Sequence, residues 1–100
     1  MKYFMIEGIE AKTSLSEEEI SAVKEKHIAY LHEQCEKGVT LFSGPKIGAV
    51  GGCIVMKAES YEGAVEFVNN DPNGIAGLRE YRINEFNPHE MQAFLKEWFD

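Results

Sequence analysis

Hydrophobic and polar positions alternate along residues 2–7, where Lys2, Phe4 and Ile6 oppose Tyr3, Met5 and Glu7. Both sets carry apolar side chains, which predicts a strand with cover on both faces. Gly8 and the polar run to Ser14 predict a loop. The period then changes: Ile20, Val23, His27, Tyr30, Leu31 and Gln34 recur three and four residues apart, a single helical stripe with Cys35 at its edge. Ser16-Glu17-Glu18-Glu19 is a capping box for this helix, with Leu15 and Ile20 placed as a hydrophobic staple. Three glutamates suit the positive end of its dipole, and Gly38 suits its exit. The predicted helix is about 21 residues and near 30 Å long.

Beyond it, residues 39–42 and 53–58 are apolar and β-branched runs separated by Ser43-Gly44-Pro45 and by the glycines at 48, 51 and 52, which predicts a hairpin broken at Ser43. Ser60 caps a second helix, whose Ala64, Val65, Phe67 and Val68 form a short buried face. Asp71-Pro72-Asn73-Gly74 has the preferences of a type I turn, and residues 74–77 read as loop. Residues 79–86 alternate again, Tyr81 and Ile83 on one side, Glu80, Arg82, Asn84 and Phe86 on the other. After Pro88, Met91, Leu95 and Trp98 share a stripe with Phe94 beside it, predicting an amphipathic tail helix that must dock on something. Strand, helix, hairpin, helix, strand is the split βαβ order, an α+β arrangement with both helices on one face of a four-stranded sheet. The organisation is therefore one domain over 1–88 and a helical extension over 89–100.

Composition narrows the partners. The chain has 100 residues, 44% of them hydrophobic, and 10 basic against 17 acidic side chains for a net charge of −7. That balance repels phosphate backbones and anionic lipid, which argues against nucleic acid and membrane surfaces. No apolar run is long enough to span a bilayer, and the first residues lack the pattern of a signal peptide, so a cytoplasmic location is expected. A chain this small leaves much surface uncovered, which favours pairing with a second copy. Cys35 and Cys53 have no metal or redox spacing and sit in apolar periodic segments, so buried free thiols are expected.

Candidate chemistry rests on few residues. His27 falls on the covered face of the first helix, as a core histidine held by one hydrogen bond or as a base whose role its partner decides. His32 lies about 140° further round the helix and faces water, and His89 is a surface group in the tail. Asp71 reads as a turn residue bonded to its own backbone. The Gly48–Gly52 segment lacks the lysine and following helix of a phosphate loop, and reads as a flexible tip or a place where backbone approaches another surface.

His27-Ile28-Ala29-Tyr30-Leu31, Gly38-Val39-Thr40-Leu41 running into Ser43-Gly44-Pro45, a glycine at 51 or 52, Glu62-Gly63-Ala64 and Asn70-Asp71-Pro72 occur in that order across residues 1–88. The set resembles the YCII family. The resemblance implies a ferredoxin-like fold, β-α-β-β-α-β, that dimerises through its sheets into an α+β barrel. It also implies a His27 and Asp71 pair in a pocket lined by Ser43, Gly44 and Pro45. Asn73 departs from the aromatic residue usual after Asp-Pro, and lysines stand where an arginine often precedes the histidine; both bear on substrate. The implied chemistry is proton transfer on a small compound, isomerisation or an elimination such as dehydrochlorination, in a lyase or isomerase. No cofactor or metal is expected, since the pair alone offers too few ligands. The alternative is a non-catalytic dimeric module that binds a small ligand or serves assembly, with His27 and Asp71 merely joining two elements.

Overall fold

The computed structural model describes residues 1–99. Its elements follow the expected order: β1 (Lys2–Glu10), α1 (Glu17–Glu36), β2 (Thr40–Pro45), β3 (Gly52–Ala58), α2 (Tyr61–Asn69), α3 (Pro72–Ile75), β4 (Arg79–Phe86) and α4 (Lys96–Phe99), with a 3-10 turn over Ala93–Leu95 before the last. The strands form one antiparallel sheet in the order β2-β3-β1-β4. This is the ferredoxin-like α+β fold, in which the first and third strands of the sequence take the sheet centre because each crossover helix spans one intervening strand.

Alternation on the two central strands decides which side chains meet the helices. Phe4 and Ile6 pair in register with Met56 and Ile54. All four are buried and join Ala64, Phe67 and Val68 of α2 in the core. The stripe on α1 closes that core from above. Ile20, Val23, His27, Tyr30, Leu31 and Gln34 are its half-buried residues, every other position on the helix being exposed. The capping box forms as expected, Glu19 N donating to Ser16 Oγ and Ser16 N to Glu19 Oε1. Gly38 follows the helix with φ 76, the left-handed conformation that glycine takes most readily.

Five expectations need correction. Gly8 does not release the chain: β1 continues to Glu10, its second half paired with the start of β4. Ser43, Gly44 and Pro45 do not break β2. They continue it along β3 after a register shift between Thr40 and Phe42, and Pro45 is tolerated because β2 is an edge strand. Residues 72–75 form a helical turn instead of a β-turn and loop, since Asp71 caps it and Pro72 fits its first position. The tail is not a helix over 89–99; only its last turns are helical. It docks through aromatic contacts, Trp98 lying 5.9 Å from Tyr3 by ring centroids and donating Nε1–H to Gly38 O at 2.9 Å. Both cysteines are exposed, Cys53 because it alternates onto the outer face of the sheet and Cys35 because it lies just off the α1 stripe. Among the described residues no helix is long and apolar enough to cross a membrane.

Candidate active site

The site begins at Asp71. As the residue before Pro72 it is pushed into extended backbone, φ −69 and ψ 127, and its side chain turns back to accept from Asn73 N at 3.1 Å. That is the local bonding expected of a turn-forming aspartate. The fold adds two long-range donors. His27 from the middle of α1 places Nδ1 2.6 Å from Asp71 Oδ1, and Tyr81 from the inward face of β4 donates its hydroxyl to Oδ2 at 2.7 Å. Asp71 has no exposed surface, so both carboxylate oxygens are satisfied inside the protein. Nδ1 of His27 therefore donates to the carboxylate, which in the neutral ring is the tautomer that leaves Nε2 without a proton.

The two neighbouring tyrosines remain phenols. Burial pushes Tyr81 well above the ordinary tyrosine range, reinforced by its hydrogen bond to Asp71 and the negative charge there. Tyr30 donates to Phe67 O at 2.7 Å, and burial followed by the charge of Asp71 pushes it up to about 12. The tyrosines contribute neutral hydroxyl donors, and His27 contributes the imidazole of the cluster.

His27 opens onto a cavity of about 840 Å³ between α1 and the β2–β3 end of the sheet. Ser43, Gly44 and Pro45 line it with His27, Asn73 and Tyr81. Continuing β2 through Ser43-Gly44-Pro45 is what brings them there. Asp71 does not line the cavity and reaches it through His27, Tyr81 and Asn73. The glycine tip also closes on this region: Gly51 has φ 113, and a β-carbon on it would overlap the carbonyl oxygen of Gly8. The close-approach reading of this segment is the one the backbone adopts. His32 pairs with exposed Glu36 and His89 lies in the exposed tail, as their spacing and position suggested.

Sequence reasoning missed Tyr81 and Arg79, which line the cavity from β4, and singled out Asn73 only for its bearing on substrate. Alternation on β4 put Tyr81 on the inward side, but only the fold brings that side to Asp71. Asn73 is buried and gives its backbone N–H to the carboxylate. Among the described residues no three His, Cys, Asp or Glu side chains gather as a metal site.

The pattern of the YCII-related domain matches residues 1–87. A search of curated protein sequences returned no match. Among solved structures, the chain is similar to the 5-chloro-2-hydroxyhydroquinone dehydrochlorinase of Burkholderia phenoliruptrix AC1100, solved with 2,5-dihydroxybenzoquinone. The two are 26% identical with a TM-score of 0.67, over 85% of this chain and 93% of that one. It is also similar to a muconolactone isomerase, at 10% identity and a TM-score of 0.75 over 91% and 94% of the two chains. The latter likeness is one of fold.

Proposed function

We propose that this chain, which belongs to the YCII family, is a lyase or isomerase that moves a proton on a small compound, with His27 as the base and Asp71 as the group that orients it. The observation that carries the reading is a histidine held at Nδ1 by a buried carboxylate, 2.6 Å away, while its ring borders an open cavity. A base needs a fixed tautomer and a reachable lone pair, and this arrangement has both.

Nε2 takes a proton from an acidic C–H or O–H of the bound compound. The electron pair released forms a new double bond, and Asp71 stabilises the imidazolium that results. In an elimination from the keto tautomer of a hydroxylated ring, where the chlorine sits on a saturated carbon, the released electrons pass through the conjugated system to that carbon, the C–Cl bond breaks, chloride leaves with its pair, and His27 later gives its proton to water. In an isomerisation the proton returns to a different carbon of the same molecule. The dehydrochlorinase likeness favours hydroxylated, chlorinated aromatic rings as the first compounds to try. Ser43, Gly44 and Pro45, which line the cavity, are the proposed substrate-binding residues.

We place the site in a homodimer. The outer face of the sheet carries Met5 and Phe42, 53% and 59% exposed, on strands apolar on both sides. A second copy laid on that face would cover them. The second reading, a ligand-binding or assembly module, is favoured by the three hydrogen bonds that Asp71 accepts, which tie α1, α3 and β4 together.

The test is a turnover screen of chlorinated hydroquinones and small lactones, read as chloride release and product absorbance. His27→Gln should lower the rate of any compound processed by about 10²–10⁴-fold while leaving the fold intact. A variant as active as the parent would move the pair to the structural reading.

A further inference from the structure

The protein carries a net charge of −7, yet among the described residues its cavity is lined by no aspartate or glutamate. The charged side chains along that lining are Lys24 and Arg79, accompanied by His27, which pairs with Asp71, and His32, which pairs with Glu36. With 17 acidic residues in the chain, the separation is a property of the site. Two sources hold it in place. The α1 stripe turns Ile20, Leu31 and His27 inward and its glutamates outward. On β4, Arg79 shares the inward parity of Tyr81 and Ile83, while Glu80 and Arg82 face the other way.

Arg79 is half-buried, and its one hydrogen bond runs from Nη1 to the carbonyl oxygen of Leu78, 2.8 Å away. Neither Arg79 nor Lys24 forms an ion pair among the described residues. Glu10, opposite Arg79 in the ladder, is exposed and does not engage it. A guanidinium has five N–H donors in a planar fork suited to two oxygens of one anion, so most of its capacity is left for the cavity. Asp71 does not line the cavity, and its ion pair is with His27, so it engages neither Arg79 nor Lys24.

We propose that the cavity takes a small organic anion, whose carboxylate or phenolate oxygens dock on Arg79 so that the atom to be deprotonated lies at His27. Lys24, at the exposed rim, raises the local concentration of such anions. The inference rests on the proton-transfer reading of the site and adds the class of substrate and a specificity residue. An anion held at Arg79 also limits the places at which the ring can present a proton to Nε2.

The experiment is a calorimetric titration with salicylate and with salicylamide, which keep one hydroxylated ring and differ in the carboxylate. It reads binding alone, so its failure leaves the turnover test of His27 standing, and loss of turnover in His27→Gln does not affect it. The parent should bind salicylate at least about tenfold more tightly than salicylamide. Arg79→Met should remove that preference, Arg79→Lys should keep part of it as a point charge, and His27→Gln should retain it. Equal affinity for the two compounds, no binding of either, or a preference that survives in a folded Arg79→Met protein would each overturn the proposal.

Discussion

Asp71 concentrates more consequence than any other residue of the molecule, because a single buried carboxylate caps a helix, fixes a histidine and accepts a tyrosine. Removing one donor exposes the imbalance: Tyr81→Phe leaves Oδ2 buried without a partner and should cost about 1–3 kcal/mol, measurable by urea unfolding. The tautomer is equally direct. In the neutral form, ¹⁵N NMR should find His27 protonated at Nδ1 and bare at Nε2, and Asp71→Asn should weaken that bias; the opposite tautomer in the parent would remove the base from the cavity. Alkaline behaviour follows from the tyrosines. Tyr30 and Tyr81 have folded pKa values raised above the ordinary 10, so their contribution to stability is full below about pH 10 and falls as the pH rises toward 12 and beyond. Tyr30→Phe should flatten that loss in alkaline unfolding curves. Of this cluster, His27 and Asp71 could be singled out in the sequence, one by its place on a stripe and the other by its motif. Tyr81 could not be assigned a partner, since ten residues of chain separate it from Asp71 and only packing of β4 against α3 brings them together.

At the scale of elements, the helical stripe was legible residue by residue: all six positions that the period selected are the half-buried ones on α1. The capping box was legible too, and Ser16→Ala should lower stability by about 1 kcal/mol, a melting shift of about 4–8 °C. What local pattern misjudged were places where pairing overrides propensity. Gly8 and the Ser43-Gly44-Pro45 run look like breakers, but pairing with β4 and β3 respectively keeps them extended. The tail shows the converse. Its stripe suggested a helix of about ten residues, yet so short a helix gains little by itself. Contacts from Trp98 and Phe99 to Tyr3, with Lys57 4.7 Å from the Trp98 ring, determine how it lies. Glu7, on the same outer face, has its carboxyl held below the usual range by the hydrogen bond and charge of Lys46 at 2.7 Å.

Over the whole molecule, the two faces of the sheet divide the work. The inner face buries Phe4, Ile6, Ile54 and Met56 under the helices and leaves a cavity at one end; the outer face exposes Met5 and Phe42, which the proposed dimer would cover. Light scattering at micromolar concentration should give twice the mass of the chain, and a charge at Phe42 should halve it; a monomeric parent would refute the dimer. The order of elements revealed the architecture because each change of period marks one of them, whereas the cavity and its cationic lining arise only when α1, β2 and β4 converge. The measurement that bears most directly on the catalytic reading compares the parent with His27→Gln for exchange of a carbon-bound proton for solvent deuterium, or for elimination, in a hydroxylated chloroaromatic compound followed by proton NMR. A loss of about 10²–10⁴-fold in a variant that keeps its fold is the result expected of a base at Nε2. Equal rates in the two proteins would contradict it and leave His27 and Asp71 as a structural clamp.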